Sequence, residues 1–146
     1  MITSILVPYD FTNYGDLAFK EALEIAKKFG SKVTLLSIIG SDVDTSGMSW
    51  SRAQEAHDEA ENKAKEDLNK IQNSNIAENV TVSVEIVHNP SAASGILSFA
   101  EKSKTDLIVM GSHGRSGFKK LVLGSVVSGV IAKADCSVLI AKSSKS

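Results

Sequence analysis

Three nearly unbroken apolar runs constrain this chain more than any other feature: ILV at 5–7, LIVM at 107–110 and VLIA at 138–141. Rich in branched side chains and lacking polar alternation, they read as strands covered on both faces. Such strands belong to parallel sheets with helices packed on either side. With their flanks they give strands at SILVPY (4–9), DLIVMG (106–111) and SVLIA (137–141). KVTLLSII (32–39) and VTVSVEIV (80–87) supply two more. The latter alternates strictly, with Val80, Val82, Val84 and Ile86 opposite Thr81, Ser83 and Glu85, which predicts a half-exposed strand at a sheet edge.

Helical periods fill the gaps. Leu17, Ala18, Ala22, Ile25, Ala26 and Phe29 share a stripe that Gly30 terminates. Ala53, Ala56, Ala60, Ala64, Leu68 and Ile71 mark a second helix, its outer face laced by Glu59–Lys63, Glu61–Lys65 and Glu66–Lys70. Each such pair contributes a few tenths of a kcal/mol and marks a solvated face. A third helix starts after Pro90, which suits its first turn, and a fourth runs through Val126, Val127, Val130 and Ile131. Strands alternating with helices imply a single α/β domain: an open five-stranded parallel sheet with right-handed crossovers and helices on both faces. The domain is expected over 1–142, with 143–146 a flexible tail and 40–50 the longest loop.

Charge and cysteine content narrow the partners. A net charge of −1 over 146 residues gives no overall attraction to nucleic acid or anionic membrane. The single cysteine, Cys136, has no partner for an intramolecular disulfide and reads as a small buried hydrophobe in a reducing compartment. The opening MITSILVPYD has no basic leader, and no stretch approaches the ~20 apolar residues of a membrane span, so a cytoplasmic location is expected. His57, His88 and His113 lack metal-ligand spacing and read as solvated.

In open doubly wound sheets, ligands bind beyond the carboxyl ends of the strands, where the strand order reverses. Two such ends look specialised: VPYDFTNYGD after the first strand, and MGSHGRSGFKKLVLGSV, with four of the chain's ten glycines, after the fourth. The second has neither the Gly-Lys pair of a Walker loop nor a Gly-x-Gly-x-x-Gly after the first strand. It offers Gly111-x2-Gly114-x9-Gly124-Ser125. Glycine lets backbone amides approach a phosphate closely, and the fourth helix would add its N-terminal amides and dipole. Ser125 either donates to a phosphate or caps the helix; Thr12 or Asn13 caps the first helix.

The registers ILVPYD, MGSHGRSGFKKLVLGSV and ADCSVLIAK resemble the universal stress protein family over the whole chain. The resemblance implies strand order 3-2-1-4-5, a Rossmann-like sheet of the adenine nucleotide alpha hydrolase type, and ATP (or another adenine nucleotide) with Mg²⁺ or Mn²⁺. By position, Pro8 and Tyr9 would lie beside the adenosine, Asp10 near the ribose and the metal-bound phosphates, and Ile38 against adenine. Met110 and Gly111 would line base and ribose. Gly114, Gly124, Ser125 and Val126 would hold the phosphates, with Arg115 and Ser112 as helpers; Gly117, Lys119 and Lys120 fall outside the motif. His88-Asn89-Pro90 and Cys136-Ser137 depart from the usual family pattern, which leaves the loop at 88–90 undetermined. The family pairs its last strand with that of a second copy, which implies a homodimer with Val138 and Ile140 at the interface. The implied function is nucleotide binding as a conformational signal. Asp10 is available near a metal, but no positioned general base or arginine finger is evident, so any hydrolysis would be slow. The alternatives are a nucleotide-independent dimeric interaction protein and a nucleotide-hydrolysing or adenylate-forming enzyme.

Overall fold

The ILV run forms the middle of strand β1 (Ser4–Pro8), where Ile5, Leu6 and Val7 are all fully buried, so both faces of the strand are covered. The structure is a computed structural model that describes residues 1–40, 43–74, 79–112 and 124–142. Helix α1 (Asn13–Phe29) leads to β2 (Lys32–Gly40), α2 (Trp50–Ser74), β3 (Val82–Asn89) and α3 (Ala92–Lys102). These are followed by β4 (Leu107–Gly111), α4 (Ser125–Lys133) and β5 (Ser137–Ala141). All five strands are parallel, in the order β3-β2-β1-β4-β5. The open, two-faced sheet expected from the sequence is therefore present.

Strand alternation divides the core into two layers. Ile5, Val7, Val33, Leu35 and Val109 pack toward α1 and α2, against Ala18, Ala22 and Leu68. Leu6, Leu36, Ile108 and Met110 pack toward α3 and α4, against Ile96, Val127 and Val130. Burying each large side chain contributes about 1.5–3 kcal/mol, and these layers contain most of the chain's fully buried ones. At the amino ends of the strands, Asp106 Oδ2 accepts from the Thr3 amide (2.9 Å), the Thr3 hydroxyl (2.7 Å) and the Ser4 amide (2.9 Å). The Thr3 hydroxyl foremost, then the two amides, hold this carboxyl below its usual range.

The element ends follow local chemistry. Thr12 caps α1, its hydroxyl accepting from the Gly15 amide at 3.4 Å. Gly30 closes α1 in the left-handed region at φ 69°, its amide bonding Ala26 O at 2.8 Å. β3 lies at a sheet edge, as its alternation predicts, but starts at Val82 and continues to Asn89. Pro90 lies outside the third helix. Ser91 is the cap, accepting from the Ser94 amide at 3.2 Å, and Asn89 Oδ1 in turn accepts from the Ser91 amide at 2.9 Å.

The outer face of α2 pairs differently from the simple spacing. Glu66–Lys70 forms at 3.5 Å, but Lys63 turns to Asp67 at 3.0 Å, and Glu59 lies 3.9 Å from Arg52. Glu61 bonds His88 Nε2 across to β3 at 2.5 Å. His57 is half-buried, its Nδ1 sealed from solvent without a hydrogen-bond partner and its ring 6.2 Å from that of His88. His57 is thus packed between α2 and β3 and is not solvated as expected, whereas His88 is exposed at the surface; His113 lies outside the described residues. Among the described residues no three His, Cys, Asp or Glu side chains are grouped to hold a metal. None of the helices described is long and apolar enough to cross a membrane.

Candidate functional site

β1 and β4 are neighbours, yet the chain leaves β1 for the α1 layer and β4 for the opposite α4 layer. The carboxyl ends of these two strands are therefore the switch point of the sheet, which is where sheets of this topology take ligands in a crevice.

Register assigns the candidate residues to faces. Pro8, Ile38 and Met110 each follow by two a residue of the α3/α4 layer (Leu6, Leu36 and Ile108), so they share that face. Met110 is buried; Ile38 and Val126 are half-buried and pack on the same cluster. Together they form an apolar wall running from β2 across β1 and β4 to the start of α4. Tyr9 and Gly111 face the other layer. The Tyr9 amide extends β1 by donating to Leu36 O at 2.8 Å, while its buried ring meets Phe11 edge-on at 5.0 Å and its hydroxyl donates to Asp16. Burial first, then that hydrogen bond and the charges of Asp16 and Asp10, push the Tyr9 hydroxyl well above its ordinary range. It is fixed as a donor, and Tyr9 presents its main chain, not its ring, to the crevice.

Asp10 lies two residues beyond the end of β1 and is half-buried. Its Oδ1 accepts from the Thr12 hydroxyl at 2.6 Å and the Thr12 amide at 3.2 Å, an Asx turn that sets the cap of α1. The turn forces Phe11 to φ 64°, a costly conformation for a bulky residue. Gly15 lets α1 close on this turn: a Cβ there would lie 3.1 Å from the Tyr9 ring and 3.2 Å from Asp10 Oδ1. Sequence reasoning missed Gly15. The available signal was a glycine in the first turn of a helix, where its propensity is poor.

The described glycines of the late motif divide by physical cause. A Cβ on Gly111 would lie 2.6 Å from both Cβ and O of Tyr14, so close packing of α1 on β4 requires glycine there whatever else it does. Gly124 has φ −64°, which any residue adopts, so backbone strain does not explain it. It is the N-cap of α4, without a side-chain cap bond, and its amide donates to Ser112 O at 3.2 Å. That bond joins the buried end of β4 to the start of α4. Ser125 is the first helical residue and is exposed, so it is not the cap. Gly124 brings no side-chain oxygen to the first-turn amides, and a helix start of this kind favours an anion through those amides and the positive end of its dipole. Gly114 and Arg115 lie outside the described residues, as do Gly117, Lys119 and Lys120.

A doubly wound, five-stranded parallel sheet in the order β3-β2-β1-β4-β5 defines the class: a Rossmann-like α/β protein. A model described as the universal stress protein family matches residues 1–142, and the chain belongs to that family. It is 34% identical to universal stress protein MJ0531 of Methanocaldococcus jannaschii, over 97% of this chain and 82% of that one. It is 32% identical to universal stress protein YxiE of Bacillus subtilis, over 97% of this chain and 100% of that one. Among solved structures, UspA of Lactobacillus plantarum superposes with a TM-score of 0.85 at 26% identity, covering 95% of this chain and 97% of that one.

The packing at Gly111 makes a direct prediction. Gly111→Ala forces α1 away from β4 and lowers stability by about 1–3 kcal/mol, measured as a fall in urea midpoint. An unchanged midpoint would contradict the contact with Tyr14.

Proposed function

We propose that this chain binds an adenine nucleotide, with ATP the leading candidate, at the carboxyl ends of β1 and β4, and that the bound nucleotide acts as a conformational signal. The observation that carries the reading is the start of α4, which has no side-chain cap bond and is tied through Gly124 to Ser112 at the end of β4, on the layer that also holds Ile38, Met110 and Val126. In this reading Pro8, Ile38 and Met110 take the base and sugar, with the Tyr9 main chain and Gly111 at their edge. Gly124, Ser125 and Val126, joined by Gly114 and Arg115, hold the phosphates. Asp10 lies toward a Mg²⁺ or Mn²⁺ ion carried in on the phosphates, which would neutralise their charge. Two other proteins of this fold support the ligand class. A universal stress protein was solved in complex with cAMP (TM-score 0.63, 21% identity), and one from Archaeoglobus fulgidus with dAMP (TM-score 0.65, 19% identity). Hydrolysis is slow in this reading, and the protein works in the cytoplasm.

The expected result is that protein purified without added nucleotide and then heat-denatured releases an adenine nucleotide, and that refilled protein binds ATP with a Kd below about 1 mM. Gly114→Val with Gly124→Val should abolish both. No released nucleotide together with no ATP binding would overturn the reading.

The same proposal includes a homodimer through β5. Among the described residues β5 pairs only with β4, and Val138, Leu139 and Ile140 are each only partly buried, so its outer edge is open to a second copy. Light scattering should give the mass of two chains, and Ile140→Lys the mass of one; a monomeric wild type would overturn it.

A further inference from the structure

We propose that Gly95, on α3 and outside the glycine motif, is a positioning residue for the base-binding end of the crevice, acting through Ile38. The inference rests on the nucleotide reading above. A Cβ on Gly95 would lie 2.9 Å from Ile38 Cδ1, 3.2 Å from Ile38 Cγ2 and 3.3 Å from Asn89 Cβ. Real Cβ atoms essentially never approach a neighbour as closely as 2.9 Å, so any side chain at 95 displaces the tip of Ile38.

The surroundings decide the direction of that displacement. Leu36, Ile96 and Met110 fill the inward side and are buried to within a few per cent, and close-packed interiors do not absorb an extra methyl. α3 itself closes the side that carries the new methyl. Ile38 is only half-buried, so its remaining freedom is toward the open carboxyl end of β2, the space assigned to the base. With glycine at 95, Ile38 lies back against α3 and leaves that space clear. The missing side chain also conflicts with local preference: Gly95 is fully inside α3, where alanine is the better helix former. A glycine held against propensity and backed by an isoleucine tip fits a requirement for space.

The test separates binding from folding. Gly129→Ala is the control, because it makes the same change in α4, where the new Cβ meets only Ala93 Cβ at 3.2 Å. Isothermal titration measures ATP and tripolyphosphate binding for wild type, Gly95→Ala, Gly129→Ala and Gly95→Ala/Ile38→Val, with thermal melts on all four. Gly95→Ala should weaken ATP by about tenfold or more, the usual scale for one methyl group in an apolar site. It should leave tripolyphosphate within about twofold of wild type and should not lower the melting temperature. Ile38→Val deletes the Cδ1 atom that the new methyl strikes, so the double variant should recover most of the lost ATP affinity. Unchanged ATP binding in Gly95→Ala, an equal loss for tripolyphosphate, an equal loss in Gly129→Ala, or no recovery in the double variant would each overturn the proposal. A wild type that binds no ATP would overturn the nucleotide reading itself, which is a separate outcome.

Discussion

The pairing of β1 with β4 is the contact on which the rest of the structure depends. Ile5 and Leu6 lie in register with Leu107 and Ile108, and these are among the most deeply buried residues of the chain. Asp106 fixes the register at the amino ends by gathering the Thr3 and Ser4 amides. Given that pairing, right-handed crossovers require the chain to leave β1 and β4 toward opposite faces. The crevice at their carboxyl ends follows from topology before any ligand-binding residue is considered. The open edges follow as well: β3 meets solvent with a polar outer face, whereas β5 ends the sheet with half-buried apolar residues.

Small residues then shape the crevice, each for a different reason. Gly111 and Gly15 let α1 press against β4 and against the turn after β1, which fixes Asp10 in an Asx turn and holds Phe11 in a strained conformation. Gly95 lets α3 lie against Ile38 of β2 on the other face, while Gly129 only lets α4 approach Ala93 of α3 and does not shape the site. Gly124 differs from all of these: neither its φ nor a side-chain cap accounts for it, and its carbonyl begins the α4 hydrogen-bond ladder at Ser128. One spacing motif therefore mixes a glycine that packing against Tyr14 demands with a glycine that serves as a helix N-cap. Their alignment in sequence says little about which one meets a phosphate.

Much of the frame was legible in the chain. Unbroken apolar runs announce two-faced strands because nothing else buries ILV and LIVM so completely, and the strict alternation from Val80 to Ile86 marks an edge for the complementary reason. The strand order came from family resemblance, since local periodicity does not report which strands are neighbours. Other features were not legible from the chain alone. His57 looks like a solvated residue until β3 is laid beside α2, and Lys63 finds Asp67 in preference to Glu59. The Tyr9 ring turns to α1 because Asp16 offers its hydroxyl a carboxylate. Gly95 reads as a poor choice within a helix until Ile38 is placed 57 positions earlier on a neighbouring strand. For His57 and Gly95 the deciding contact is distant in sequence, whereas for Lys63 and Tyr9 it is a local choice among nearby carboxylates.

The central claim is that an anionic ligand with an apolar base sits between the end of β1 and the start of α4. Amide chemical-shift mapping on ¹⁵N-labelled protein titrated with Mg-ATP tests it most directly. The largest shifts should fall on Ser125, Val126 and Gly124, with a second group at Asp10, Ile38 and Gly111. Shifts concentrated instead on the opposite groove beside Leu97, Lys133 and Cys136, or none at saturating ATP, would contradict it.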